Sequence, residues 1–470
     1  MNKKILDFFE AIAPERDTWK KKNSYYWEDV ERLCSFLIPE NATVLEIGCG
    51  TGDLLACINA KKKVGIDYSR NMIGIAKRKY PSVNFMEMEA ENLNFNEKFD
   101  YVILSNLIGY LEDIQKVFTE LKKVCHPHSK VIVTYYNFLW QPVLNVAVMM
   151  NLRMKQPQQN WLSKQDIKNL LYLAGFDAFK EGERLLLPIN IPLVSEIFNR
   201  YLAKLPLLRK LCITNYVIAK PFQIESDYKE KYSVSVIIPA RNESGNIENA
   251  ILRTPRMGRH SEIILIEGNS KDDTWEKIQD MHEKYKDKYD IKIAQQDGKG
   301  KGDAVRKGFE MATGDILMIL DADLTVPPED LPMFYDAIAS GKGEFINGSR
   351  LVYNMDEKAM QFLNLLGNKF FSMMFSWLLD QRFKDTLCGT KVILKSDYEQ
   401  LKRGRNFFGD FDPFGDYDLI FGASKLNLKI VEVPIRYKER TYGSTNIERW
   451  KHGCLLLKMT MFAASKIKFI

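Results

Sequence analysis

The chain has 470 residues, too many for one ordinary domain and enough for two large units or about three smaller ones. Hydrophobic residues make up 46% and charged residues 27%, the balance of a folded soluble protein. A formal charge of +6 with no long basic run disfavours nucleic acid as a partner, while phosphorylated ligands and an anionic membrane surface stay open.

Residues up to about 40 read as helices, with the aromatic pairs Phe8-Phe9 and Tyr25-Tyr26 set among charges. Asp7 and Glu10 come too early for a signal peptide, and no apolar run of about 18 residues is free enough of charge to span a bilayer, so the expected location is the cytoplasm. Ala42 to Gly52 predicts a strand, a glycine-rich turn and a helix start, and Val64-Gly65-Ile66-Asp67 a second strand ending in an acid suited to two ribose hydroxyls. Cys34, Cys49, Cys57, Cys125, Cys212, Cys388 and Cys454 are scattered without C-x-x-C spacing, which argues against a zinc site or a disulfide framework.

The turn reads Glu46-Ile47-Gly48-Cys49-Gly50-Thr51-Gly52, not the dinucleotide fingerprint, and in this it resembles class I S-adenosylmethionine-dependent methyltransferases. The resemblance continues through Glu89-Ala90-Glu91-Asn92-Leu93, through Phe99 to Asn106, and from Trp161 to Phe176. It implies that Glu46, Gly48, Gly50, Asp67, Glu89 and Ala90 line the cofactor, with Asn106 near the methyl group. Cys125-His126-Pro127-His128-Ser129 stands where the family has a Pro-Gly-Gly turn, and its two histidines read as surface residues rather than as a metal site. The apolar, proline-punctuated stretch from Leu185 to Leu211 would cover the methyl-acceptor site or contact the second half.

Residues 222–231 are polar and aperiodic and read as a linker between a domain at 1–221 and a second α/β domain at 232–450. The second series opens with a buried strand into Pro239-Ala240-Arg241-Asn242-Glu243, then a strand ending at Glu267, then Gly298-Lys299-Gly300-Lys301-Gly302. The run from Ile316 to Leu320 predicts a strand buried on both faces, ending in Asp321-Ala322-Asp323. Two carboxylates at a strand's carboxyl end can hold a hard divalent cation, although a solvated turn is the plainer alternative.

This half resembles the inverting family-two glycosyltransferases of GT-A fold, and among them the polyprenyl-phosphate mannosyl- and glucosyltransferase-like group. The resemblance implies that Pro239, Arg241, Glu243 and Glu267 flank the nucleotide and that Asp321 and Asp323 hold Mg²⁺ or Mn²⁺ against the sugar diphosphate. It also places Arg350 and Arg440 at phosphate groups and Asp416 or Asp418 near the reacting centre. Lys299 reads as a nucleotide-sugar contact, because the glycine-lysine run lacks the ending of a P-loop.

The combined expectation is a bifunctional enzyme of cell-surface glycan synthesis, using a nucleotide-sugar donor, a polyprenyl-phosphate or saccharide acceptor, and S-adenosylmethionine. The rival expectation makes the first half a binding module without catalysis. Apolar residues almost all round Ala359 to Leu379 fit a core helix pair or a membrane contact. Residues 451–470 predict an amphipathic helix, with Lys451, Lys458 and Lys466 beside Leu456, Leu457, Met461, Phe462 and Ile467, that lies at a membrane's inner face without crossing it.

Overall fold

Branched apolar runs and amphipathic helices alternate along both halves, so each half builds its own α/β layer around a central sheet. In the computed structural model the chain divides into two units, Met1–Phe222 and Gln223–Lys468. The structure describes all residues except 1–2, 158, 223–226, 351–361, 387, 406–415, 436–441, 443–448 and 470.

The first unit holds β1 (Thr43–Ile47), β2 (Lys62–Asp67), β3 (Asn84–Glu87), β4 (Phe99–Ser105), β5 (Cys125–Tyr136), β6 (Phe176–Arg184) and β7 (Thr214–Pro221). Their order in the sheet is β3-β2-β1-β4-β5-β7-β6, and β7 runs antiparallel to both its neighbours. The remaining pairs are parallel, and such strands need apolar side chains on both faces. Strand alternation separates two cores accordingly: Val44 and Ile103 lie in one, Leu45, Ile47, Val102 and Leu104 in the other. The order in which strands are added reverses between β1 and β4, which run parallel, and this opens a crevice at the carboxyl ends of those strands.

The helix Ser24–Leu37 turns Tyr26, Val30, Leu33, Cys34 and Leu37 inward at helical spacing. It also buries Asp29, whose carboxylate meets Arg184 at the end of β6 through Nη2 at 2.7 Å and Nε at 3.0 Å. The segment Cys125–Ser129 is not the expected turn. It is the start of β5, pairing Phe99 with Cys125 and then Tyr101 with Lys130, so that the extra residues bulge. Ser129 closes the bulge, its hydroxyl accepting from His126 N at 2.7 Å and donating to Phe99 O at 2.6 Å.

The second unit holds β8 (Ser233–Ala240), β9 (His260–Glu267), β10 (Asp290–Gln295), β11 (Ile316–Ile319), β12 (Phe345–Ser349), β13 (Lys391–Leu394) and β14 (Ile430–Pro434). The order is β10-β9-β8-β11-β13-β12-β14, with β13 inserted antiparallel between β11 and β12. All four residues of β11 are buried, as expected for a central strand. The described end of the 222–231 stretch is tied to this unit, where the Tyr335 hydroxyl donates to the carbonyls of Tyr228 and Lys229.

The apolar segment predicted from Ala359 is one helix, Phe362–Leu379, packed on the C-terminal helix Arg449–Ile467. Residues 359–361 lie outside the described ones. On the C-terminal helix Leu456 and Ile467 face protein rather than solvent, while Leu457, Met461 and Phe462 are exposed beside Lys458 and Lys466. The side chain of Lys451 is outside the described residues. No helix among the described residues is long and apolar enough to cross a membrane.

The Asp29–Arg184 pair generates a stability prediction. Burial pushes the Asp29 carboxyl up, but the Arg184 charge and hydrogen bonds outweigh it and hold the group below its ordinary range. Because the folded value lies below the unfolded one, the contribution is complete above an unfolded carboxyl pKa of about 4 and is lost as pH falls through the lower folded value. Asp29→Ala takes the carboxylate away from a buried guanidinium and should cost about 3–5 kcal/mol, read by calorimetric unfolding of the first unit at neutral pH. Replacing Asp29 by Leu and Arg184 by Met together should cost much less; equal losses in both variants would contradict the assignment.

Candidate functional site

In the first unit the turn after β1 is shaped by three glycines with φ of 75° at Gly48, 53° at Gly50 and 83° at Gly52. A Cβ on Gly48 would stand 2.7 Å from Leu107 and one on Gly52 2.6 Å from Phe85, so those two glycines let the turn pack. A Cβ on Gly50 meets nothing within 4 Å, and this glycine borders the cleft where a ligand can approach the backbone. Asp67, ending β2, braces the turn: Oδ2 accepts from Gly50 N at 2.8 Å and Oδ1 from Ser69 N at 2.9 Å. Burial nevertheless raises its carboxyl above the ordinary range.

These groups border an open cleft enclosing about 880 Å³, part of it bulk solvent. Of the predicted cofactor residues, Gly48, Gly50, Asp67, Ala90 and Asn106 line it, and Glu46 and Glu89 do not. Glu46 follows the pleat to the face of Val44, where burial pushes its carboxyl up to about 8 against the opposing charge of Lys20. Asn106 has φ of 51°, and its Oδ1 accepts from the Tyr26 hydroxyl at 3.0 Å. The Tyr26 ring stacks on Tyr136 with centroids 5.3 Å apart, and the Arg153 guanidinium lies 4.8 Å above Tyr136. The Asn106 Nδ2 is buried without a hydrogen-bond partner, a donor available to a bound ligand. His126 is structural, with Nε2 3.0 Å from Asp100.

In the second unit the carboxyl end of β11 carries Asp321 and Asp323. Lys301, first residue of the helix Lys301–Met311, places Nζ 2.6 Å from Asp321 Oδ1. Gly389 makes room for this pair, since a Cβ there would lie 1.9 Å from Asp321 Oδ2 and 2.6 Å from Lys301 Nζ. Burial pushes the Asp321 carboxyl up, yet Lys301 and then the charges of Lys391 and Arg350 hold it below its usual range. Asp323 Oδ1 accepts from Thr325 N at 3.1 Å and from its hydroxyl at 2.8 Å.

Arg350 spends two donors on the fully buried Asp385, Nε at 2.7 Å and Nη2 at 2.8 Å. Two donors of the fork expected at a phosphate are therefore held by a carboxylate. Asp418 Oδ2 lies 3.9 Å from Arg306 and 3.8 Å from Arg405. Glu267, the last residue of β9, is buried, accepting from Ser270 N at 2.5 Å and Gln295 Nε2 at 3.2 Å. Glu243 is also buried, accepting from Asn246 Nδ2 at 2.8 Å. Pro239 is half-buried, whereas Arg241 and Lys299 are exposed. Arg440 and the side chain of Asp416 lie outside the described residues.

Sequence reasoning treated Lys299 and Lys301 alike and named only Lys299 for the site, and it gave Asp385, Gly389 and Lys391 no role. The signal for Lys301 was its place just after Gly300, where φ of 86° ends the loop and the helix begins. Among the described residues no three His, Cys, Asp or Glu side chains gather as a metal cage. Two aspartates next to a diphosphate fit Mg²⁺, which commonly takes one or two carboxylates and completes its shell with phosphate and water. Gly389→Ala should abolish nucleotide-sugar binding, measured by calorimetry, while Gly404→Ala, whose Cβ comes no nearer than 3.6 Å to other atoms, should not. Undiminished binding by Gly389→Ala would show that the Lys301–Asp321 approach is dispensable.

Two family models match the chain: "Glycosyl transferase family 2" over residues 235–398 and "Methyltransferase domain" over residues 44–128. The chain is 33% identical over 221 residues to a dolichol-phosphate mannosyltransferase of Pyrococcus furiosus, covering 46% of this chain and 59% of that protein. It is 26% identical over 226 residues to glycosyltransferase AglJ of Haloferax volcanii, covering 48% of this chain and 69% of that protein. It is also 28% identical over 152 residues to a ubiquinone/menaquinone biosynthesis C-methyltransferase of Campylobacter jejuni, covering 28% of this chain and 62% of that protein. The mannosyltransferase and the C-methyltransferase are thus each matched over less than two thirds of their own length. The chain joins a methyltransferase domain, followed in sequence by a family 2 glycosyltransferase domain.

Proposed function

We propose that the chain is a bifunctional enzyme of cell-surface glycan or glycolipid synthesis. Its second unit moves a sugar from a nucleotide-sugar, with inversion, to a polyprenyl phosphate or a saccharide hydroxyl, and its first unit moves a methyl group from S-adenosylmethionine. The observation that carries the reading is the carboxylate at the end of β11, held charged by Lys301 and approached by Gly389, with Arg350 and Lys391 near enough to add positive charge.

A divalent cation held by Asp321 and Asp323 would offset the negative charge that grows on the departing nucleoside diphosphate. Lys301 and Arg350 supply fixed positive charge to the same end of the sheet, and the Asp385 anchor keeps the Arg350 fork in one orientation. A saccharide hydroxyl needs a base, and Asp418 is engaged by Arg306 and Arg405. A polyprenyl phosphate brings its own anion and needs none, which supports the lipid acceptor, as does similarity to a protein named for dolichol phosphate.

In the first unit this reading gives Asp67 the ribose hydroxyls, Gly48 and Gly50 the cofactor's close approach, and the Asn106 amide the transferred methyl or its acceptor; it is supported by their all bordering the cleft and by the unpartnered Asn106 Nδ2. One observation favours the rival reading of a binding module: no histidine or glutamate lines the cleft among the described residues, and the aspartate that does, Asp67, already accepts from two backbone N–H groups.

Asp323→Ala should lower sugar transfer roughly 10²-fold or more while methyl transfer persists, each followed with its own radiolabelled donor. Sugar transfer at the parental rate would remove Asp323 from the site. Calorimetric titration with S-adenosylmethionine should show binding that Asp67→Ala weakens, and no heat from the parental protein would end the methyltransferase reading.

A further inference from the structure

Among the described residues of the first unit, most of the large apolar side chains left exposed belong to two segments, 138–152 and 189–211. Met149 at the end of the helix Gln141–Met149 is 85% exposed, and Leu193 and Leu207 in the second segment are 77% and 80% exposed. The segments are neighbours. The Trp140 indole donates to Leu211 O at 2.7 Å, and the Asn137 amide donates to Lys210 O and Cys212 O at 2.9 Å.

The second segment is a built loop. Asn199 meets both backbone groups of Leu187 at 2.8 Å, while the Ser195 hydroxyl donates to Ile189 O at 2.6 Å and accepts from Ile191 N at 2.8 Å. Polar backbone is satisfied inside and aliphatic side chains stand outside, the reverse of an ordinary surface loop. Leu193 also holds φ of 64°, a strained conformation for a leucine that its own burial does not repay.

Charge decides what fits this face. Residues 138–165 contain no acid, and 185–213 contain only Glu196, which Arg200 pairs at 3.1 Å. Exposed lysines stand at the edges: Lys155, Lys210, and Lys22, which donates to Asn151 O. A second copy docked about a two-fold axis would bring like-charged rims together, whereas anionic headgroups pair with them.

We propose that this face of the methyltransferase domain seats the protein in the headgroup layer of an anionic membrane, with Met149, Leu193, Ile197 and Leu207 entering the acyl boundary. This differs from the expectation that residues 185–211 cover the acceptor site or contact the second half, and it moves the main membrane contact away from the C-terminal helix. Tyr136 and Gln156, which flank the first segment, line the cleft, so docking presents the cleft to lipid-borne acceptors, a corollary that rests on the methyl-transfer reading.

The test is flotation of the full chain with vesicles of phosphatidylcholine, with and without phosphatidylglycerol. The parental protein should float with the anionic vesicles and far less with neutral ones. Leu193→Glu/Leu207→Glu should reduce its partitioning about tenfold or more without lowering Tm. Leu173→Glu, on a helix outside both segments and 64% exposed before substitution, should float like the parent, and Met461→Glu on the C-terminal helix should keep most of the binding. If the double variant misfolds, Met149→Glu takes its place. Parental protein that floats with neither vesicle, a folded double variant that floats like the parent, or a parental dimer that the double variant turns into a monomer would overturn the proposal.

Discussion

The contact between Lys301 Nζ and Asp321 Oδ1, at 2.6 Å, organises the second unit's site, and it depends on an absence of atoms at Gly389. The strand that supplies Asp321 is wholly buried, so the carboxylate emerges from an apolar layer where its charge would be unfavourable alone. A lysine at the start of the helix Lys301–Met311 and further cations at Arg350 and Lys391 resolve that cost. The antiparallel insertion of β13 between β11 and β12 brings the Cys388-Gly389 backbone close, and only a residue without Cβ can pass there. The result is a charged acid, surrounded by positive groups, at the end of a parallel sheet. That is an environment suited to a diphosphate and its cation.

The first unit solves a related problem with neutral groups. Asp67 also ends a parallel strand, but its partners are backbone N–H groups of the glycine turn and of Ser69, and burial raises its carboxyl. A carboxylate held by amides can grip hydroxyls without assembling cations, which is what a neutral ribose requires. The two units therefore share an architecture and differ in electrostatics at the same place in the fold. The proposed function gives one of these sites a phosphorylated donor and the other a nucleoside.

Much of this was legible in the sequence where periodicity and punctuation agree. The run Ile316–Leu320 announces a buried strand, and nothing apolar explains Asp321 and Asp323 after it. Gly48, Gly50 and Gly52 likewise announce a turn of positive φ. Long-range events were not legible. Asp385 reaches Arg350 and Gly389 reaches Asp321 only because a distant segment inserts into the sheet, and no local pattern encodes that. Glu46, by alternation along β1, falls on the face of Val44 and is not among the residues lining the cleft. In the glycine-lysine run, Lys299 and Lys301 look equivalent until Gly300 ends the loop and the helix points one of them at Asp321. For the apolar stretch 185–211 the sequence leaves a cover of the acceptor site and a contact with the second half equally open, because local pattern does not say which side chains a satisfied backbone holds outward.

The central claim is that one chain carries two separate ligand sites, one for a nucleoside-bearing methyl donor and one for a nucleotide-sugar. Hydrogen exchange read by mass spectrometry on the full chain tests it most directly. S-adenosylmethionine alone should slow exchange at residues 48–52 and 67–69 and leave the second unit unchanged. A nucleotide-sugar with Mg²⁺ should slow exchange at residues 298–303, 320–326 and 388–391 and leave the first unit's turn unchanged. Protection of neither set, or of the same set by both ligands, would contradict the account.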